Sequence, residues 1–229
     1  MSKKVIILNY IIIGALFIFN IFASIFFLSS NNSSEIFEEN ILKVVEIKAS
    51  DDELSWGYAT GFFIDNNGKI LTNKHVAYNS STSANYNIIQ VRLANEDKWY
   101  DANVIKISEN EDLAIIKIDK TNTNFFTLQE NVSNGETIYT IGNPNGFGLS
   151  FASGFVSSDK RNVIYNEQTI ETIQTSLVIN EGNSGGPVFN KKGKLLGIIS
   201  FRLKDKYGEV IQGVSFALPS STIKAFLQD

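Results

Sequence analysis

Gly182-Asn183-Ser184-Gly185-Gly186-Pro187 is the stretch of the chain that most restricts its fold and function. A nucleophilic serine needs room for a substrate carbonyl and two donors for the oxyanion that develops on it. Glycines on both sides of the Asn-Ser pair allow a sharp turn, so we expect the amides of Gly182 and Ser184 to converge on one oxygen. A plain glycine turn between strands is the alternative interpretation of the hexapeptide alone.

Two further strings supply a base and an acid. His75 is the only histidine of the chain, and imidazole is the side chain whose ordinary pKa suits a general base near neutrality. Asp112 directly precedes a largely apolar strand, where its carboxylate could accept the second imidazole N–H. Each residue alone has a simpler interpretation: His75 could be a structural histidine, and Asp112 could be an ordinary aspartate in a turn before a strand. Their order with Ser184, each in a distinctive string, favours a catalytic triad.

Together these strings resemble the trypsin-like serine peptidases of the HtrA/DegP type, over about residues 57–219. The resemblance implies an all-β chymotrypsin/trypsin-like fold of two six-stranded β-barrels, with the active site between them. His75 and Asp112 would come from the first barrel and Ser184 from the second. The matching strings are 60–65, 68–76, 112–114, 141–144, 153–154, 173–175, 182–187 and 213–219.

The resemblance also implies where a substrate would lie. The strand 197–202 is similar to one that pairs with substrate backbone by strand addition. No acidic residue falls at the expected base of the primary specificity pocket, so small or medium apolar side chains are the predicted preference. HtrA-type proteins often continue into a PDZ domain, but this sequence ends at Asp229, so none is expected. The implied substrate-binding residues are Val178, Ile179, Ser200, Phe201, Arg202 and Gly213.

Most of the chain after Ile41 consists of short runs rich in Val, Ile, Thr, Phe and Tyr. Turn signals such as Asn67-Gly68 and Asn134-Gly135 separate the runs. Many short strands at near-regular spacing predict an all-β sandwich or barrel. We assign residues 41–128 to the first barrel, and residues 129–229 to the second barrel with a short C-terminal helix.

The N-terminal segment predicts a membrane anchor. Residues 5–28 are almost all apolar and uncharged, and as a helix they would span about 36 Å. Lysines before the run and glutamates after it place residues 1–4 in the cytoplasm and the catalytic part outside. A cleaved signal peptide is the rival reading, but its apolar region would be shorter. Residues 29–40 are polar and are expected to form a linker.

Composition narrows the function. The chain has no cysteine, a single histidine and a formal net charge of −4, which argue against thiol chemistry, a catalytic zinc site and a nucleic-acid partner. We expect no metal and no cofactor. The prediction is a bacterial, single-pass serine endopeptidase of the cytoplasmic membrane, acting on unfolded or extended polypeptides in protein quality control. A catalytically weak, chaperone-like peptide-binding module is the alternative. The sequence leaves the oligomeric state open between a monomer and a homo-oligomer, although HtrA-type proteins are often trimers.

Overall fold

The computed structural model describes residues 3, 12–21, 33–121, 123–165, 168–204 and 207–229. It divides into two compact units, residues 1–36 and 37–229. In the first unit, residues 12–21 are helical. Among the described residues, no helix combines the length and the apolar character needed to cross a bilayer. The anchor predicted over residues 5–28 lies largely outside the described residues.

The second unit is built mainly from strands. Its helices are short, and a 3-10 turn lies at Pro144–Gly146. The helices are α1 (Ser33–Ile41), whose first four residues belong to the first unit, α2 (Lys74–Ala77) and α3 (Ser220–Gln228). The strands are β1 (Val44–Ser50), β2 (Gly57–Phe63), β3 (Lys69–Thr72), β4 (Tyr78–Asn79), β5 (Ala84–Asn85), β6 (Ile88–Leu93), β7 (Trp99–Asp101), β8 (Asn103–Ile107), β9 (Ala114–Lys117), β10 (Thr127–Leu128), β11 (Thr137–Gly142), β12 (Ser150–Tyr165), β13 (Gln168–Thr175), β14 (Pro187–Asn190), β15 (Lys194–Lys204) and β16 (Val210–Pro219).

The first sheet has seven antiparallel strands in the order β7-β6-β1-β2-β3-β9-β8. β-branched and aromatic side chains suit a strand whose faces are buried, and they fill this core. Val45, Ile47, Ile70 and Ile116 have no solvent exposure at all. The packing fixes β3 and β9, and therefore also the segments that follow β3 and precede β9.

The second sheet also has seven strands, in the order β10-β15-β14-β11-β12-β13-β16. β15 also pairs with β16, so the six strands from β15 to β16 in this order form a closed ring of ladders. β10 joins β15 by two parallel pairs outside that ring. The core beneath these strands includes Ile138, Val156, Val188 and Leu196. It supports the loop from β13 to β14, which carries Ser184.

The mostly-β fold with two sheets is confirmed, but the prediction of six strands per barrel is not matched in detail. Short edge strands such as β7 and β10 bring each sheet to seven strands, and in the described part of the first sheet no ladder joins β7 to β8. The expected C-terminal helix is α3. Of the segment 29–40 that was expected to be a polar linker, the described part begins at residue 33 and belongs to α1, whose Phe37 packs edge-on against Phe151 with ring centroids 5.7 Å apart.

Aromatic side chains join the two sheets. Phe126 lies between Phe62 of β2 and Phe189 of β14, at centroid distances of 5.7 and 5.3 Å respectively. Contacts of this size bury large apolar areas and prefer tilted or edge-on geometry. The backbone amide of Thr60 on β2 also donates to Ser184 O at 3.0 Å. The serine loop of the second sheet is therefore held directly against the first sheet.

Candidate active site

His75 and Asp112 form a close pair at one end of the first sheet. His75 lies in α2 just after β3, and Asp112 lies just before β9, which pairs with β3. Nδ1 of His75 is 2.9 Å from Asp112 Oδ2 and 3.1 Å from Oδ1. The backbone amide of His75 donates to Oδ1 at 3.1 Å, and Asn73 Nδ2 donates to Asp112 O at 3.0 Å. The carboxylate therefore orients the ring and leaves Nε2 for other partners.

The electrostatics of the pair favour a protonatable imidazole. Burial lowers the pKa of His75, but the hydrogen bond and the charge of Asp112 outweigh it and hold the pKa above the ordinary 6.5. Burial raises the pKa of Asp112, but its bonds with His75 and Ser200 leave that pKa below the usual range. The His75 side chain keeps 53% exposure, against 25% for Asp112. Asp112 thus stays ionised and stabilises a positive charge on the ring.

Ser184 shares two cavities with His75. One, of about 220 Å³, is lined by the start of β2, His75, Glu181, Gly182 and Ser184. The other, of about 660 Å³, lies along Ser200–Arg202 and also includes His75, Asp112 and Ser184. Among the described residues, no hydrogen bond joins Ser184 Oγ to His75. Ser184 and His75 therefore line the same open cleft without a direct hydrogen bond, a looser arrangement that is common in substrate-free enzymes.

The backbone before Ser184 is turned so that two amides remain available. Glu181 O accepts the amide of Asn145 at 2.7 Å, and Asn183 O accepts the amide of Gly186 at 2.9 Å. In a planar trans peptide the N–H points opposite to the C=O, so the amides of Gly182 and Ser184 point away from these partners. In the described part of the chain neither amide donates to a protein acceptor. The predicted oxyanion donors are thus unoccupied.

Thr60 holds this loop in place, a role that sequence reasoning missed. Its hydroxyl donates to Gly182 O at 2.6 Å and accepts the amide of Asn143 at 2.9 Å. Its carbonyl accepts the hydroxyl of Thr72 at 2.8 Å, and the residue has no solvent exposure. Thr60 therefore connects the first sheet both to the serine loop and to the turn that follows β11. Its place in the string 60–65 gave no signal of this contact.

The predicted substrate-binding residues are only partly brought together. Ser200, Phe201 and Arg202 line the larger cavity with Ser184, whereas Val178, Ile179 and Gly213 line neither of the two cavities. Ser200 also has a second role, since its hydroxyl donates to Asp112 Oδ2 at 3.1 Å. Of the three outside the cavities, Ile179 still contributes its carbonyl, which accepts Arg202 Nη1 at 3.0 Å.

Residues 59–198 match the family described as trypsin-like peptidase domain. The chain belongs to this family. The matched region contains His75, Asp112 and Ser184, and it spans parts of both sheets. The trypsin-like arrangement deduced from the short strings is therefore confirmed at the level of the family.

Curated proteins similar to this chain include serine proteases named as HtrA and DegP-like. The zebrafish (Danio rerio) serine protease HTRA1A is 33% identical over 79% of this chain and 36% of its own length. The probable periplasmic serine endoprotease DegP-like of Pseudomonas putida is 34% identical over 81% of this chain and 37% of its own length. The chain thus spans little more than a third of the curated relatives that it matches.

Solved structures show the same fold. The HtrA-type protease AlgW with a tripeptide aligns with a TM-score of 0.75 at 27% identity, over 86% of this chain and 63% of that one. The active form of the Rv3671c protease from M. tuberculosis aligns with a TM-score of 0.72 at 19% identity, over 84% and 82% respectively. The second likeness concerns the fold alone.

Proposed function

We propose that this chain is a serine endopeptidase that hydrolyses peptide bonds of exposed or misfolded proteins. The observation that carries the proposal is the His75–Asp112 pair facing the same cleft as Ser184 and two unoccupied amides. This set contains a nucleophile, a base, an orienting carboxylate and an oxyanion site. Peptidase relatives of the HtrA and DegP kinds support it.

In the proposed reaction Ser184 Oγ attacks the substrate carbonyl while His75 Nε2 takes the hydroxyl proton. The carbonyl oxygen becomes an oxyanion that accepts the amides of Gly182 and Ser184. The C–N bond then breaks, and the amine leaves with the proton held by His75. Water attacks the resulting ester with His75 again as base, and the acid product and free Ser184 are restored.

The part of the substrate before the cleaved bond is proposed to lie along Ser200–Arg202. The ladder between β14 and β15 has its last pair at Pro187 and Ile198, so this portion of β15 continues beyond it. Substrate addition there would use backbone hydrogen bonds, which suit unfolded or extended chains of varied sequence. Val178, Ile179, Arg202 and Gly213 would border the primary specificity pocket.

The test uses the full-length protein in detergent, with casein as the unfolded substrate. The parent is expected to cleave casein, and Ser184→Ala and His75→Ala are each expected to lose at least about 10⁴-fold in rate. A fluorophosphonate probe should label the parent and not Ser184→Ala. Equal cleavage by the parent and both variants would refute the roles assigned to these residues.

A catalytically weak peptide-binding or chaperone-like module is the second candidate. The observation in its favour is the absence of a hydrogen bond between Ser184 and His75 in the described structure. In that case the folded parent would neither label with the probe nor cleave casein, yet it would suppress aggregation of an unfolded protein. Labelling by the probe would exclude this reading, because only a competent nucleophile reacts.

Membrane attachment through residues 5–28 is part of the proposal, with residues 1–4 in the cytoplasm and the catalytic part on the outer side. Its support is the length and apolar character of that run and the charges that flank it. The P. putida relative is described as periplasmic, which is consistent with this side. Extraction with alkaline carbonate tests membrane attachment: an anchored chain stays in the membrane pellet.

A homo-oligomer is proposed by analogy with HtrA-type proteins, and light scattering of the protein in detergent tests it.

A further inference from the structure

Arg202 carries a positive charge into the cleft that contains the nucleophile. It lies on β15, lines the larger cavity together with Ser184 and Ser200, and is half-buried. Nη1 of Arg202 donates to Ile179 O at 3.0 Å, so the guanidinium reaches the segment that leads to the serine loop. In the described part of the chain, no carboxylate pairs with it.

A guanidinium has five N–H donors, and the bond to Ile179 uses one of them. A charged group held in a half-buried cleft without a counterion is poised for a carboxylate, which it can bind through two parallel hydrogen bonds. The segment that Arg202 contacts is itself fixed, because Ser215 Oγ donates to Leu177 O at 3.0 Å. The guanidinium is therefore held against a segment that the second sheet fixes.

Acidic side chains elsewhere in the cavity do not take this place. Glu109 and Glu111 line the part formed by the connection from β8 to β9, and Asp112 is occupied by His75 and Ser200. Burial and the charge of Asp112 raise the pKa of Glu111. None of the three forms an ion pair with Arg202 among the described residues. Glu109 and Glu111 would repel acidic substrate residues on their side of the cavity, which Lys74 also lines.

We propose that Arg202 makes this peptidase select an acidic residue, Glu or Asp, immediately before the cleaved bond. The inference rests on the proposed function and on the proposed course of the substrate along Ser200–Arg202. It replaces the small apolar residues expected from the sequence. That expectation rested on the lack of an acidic group at the pocket base and did not weigh the charge of Arg202 itself.

The first test compares two matched peptides that differ only in Glu or Gln before the cleaved bond, with the cut identified by mass spectrometry. Charge-assisted hydrogen bonds of this kind correspond to roughly 10–100-fold, so kcat/KM should favour the Glu peptide by about that factor. In Arg202→Gln the Glu-to-Gln ratio should fall to about one. Arg202→Lys should retain part of it, and Arg161→Gln, which removes an exposed arginine outside the cavity, should retain all of it.

The ratio of kcat/KM for the Glu and Gln peptides distinguishes selection of an acidic substrate residue by Arg202 from a purely structural role. If Arg202 only braces the segment at Ile179, Arg202→Gln slows both peptides equally and the ratio stays the same. A ratio near one in the parent would overturn the proposal while leaving the peptidase function intact.

Binding provides a readout that does not need turnover. Product-like peptides ending in Glu or Gln are titrated into full-length Ser184→Ala by calorimetry. We expect the Glu peptide to bind about 10-fold tighter or more, and Ser184→Ala with Arg202→Gln to bind both alike. Tighter binding of Glu with no cleavage by the parent would refute the peptidase function and support the role of Arg202. Equal binding of both peptides to Ser184→Ala would overturn that role.

Discussion

Replacing Thr60 with valine removes one hydroxyl from the joint between the two sheets and preserves the shape of the side chain. The hydroxyl donates to Gly182 O at 2.6 Å and accepts the amide of Asn143 at 2.9 Å, in a site without solvent exposure. In Thr60→Val both backbone groups lose their partner inside the protein. Each unsatisfied group costs about 1–3 kcal/mol, so we expect a loss of about 2–6 kcal/mol in the free energy of unfolding.

The same change should reduce catalysis. Gly182 precedes the serine by two residues, and Asn143 begins the turn whose Asn145 amide fixes the peptide before Gly182. Freeing Gly182 O and the Asn143 amide should let the Gly182 amide leave the position proposed for it in the oxyanion site. Loss of one such donor costs about 10²–10³ in kcat, which sets the upper limit of the expected decrease.

Urea unfolding followed by tryptophan fluorescence measures the stability, and peptide hydrolysis at saturating substrate measures kcat. Thr60→Ser is the matched control, because it keeps the hydroxyl and loses one methyl, worth about 0.8 kcal/mol. If Thr60→Val unfolds at the same urea concentration as Thr60→Ser and has the same kcat, the reasoning about this joint is wrong.

Asp112→Asn should lower kcat about 10⁴-fold. Because Asp112 raises the pKa of His75, the acidic limb of the pH profile of kcat/KM should also move to lower pH in this variant. An acidic limb at the same pH as in the parent would contradict this. Ser200→Ala removes one donor to Asp112 and should raise its pKa, which NMR titration of the carboxyl group can measure. Gly185→Ala should destabilise the fold far more than Gly135→Ala in thermal unfolding: both have positive φ, but only at Gly185 does a Cβ collide with the first sheet.

Features that depend on short stretches of neighbouring residues could be predicted from the sequence. Strand positions followed from runs of β-branched and aromatic residues, and the family followed from strings around His75, Asp112 and Ser184. The described structure brings His75 and Asp112 into contact across 37 positions of the chain, as expected for residues flanking the paired strands β3 and β9.

Features that depend on distant packing were not predictable. Thr60 contacts Gly182 across 122 positions, and no local pattern distinguishes it from an ordinary strand threonine. Ser200 was assigned to substrate binding alone because its reach to Asp112 depends on how the two sheets meet. The segment 29–40 was expected to be a linker because it is polar overall, whereas Phe37 of helix α1 finds an aromatic partner on β12.

Each end of the second unit contacts the sheet that is formed mainly by the other half of the chain. Phe37, near its start, packs on Phe151 of the second sheet, while α3, at the end of the chain, returns to the first sheet. There Lys106 Nζ of β8 donates to Phe226 O at 2.7 Å and lies over the Phe226 ring. A single nick in the connection between β9 and β10 would therefore not release either half. The N-terminal fragment would carry Phe37, which packs on the second sheet, and the C-terminal fragment would carry α3, which contacts β8. We therefore expect the two fragments, expressed separately, to reassemble and form the cleft.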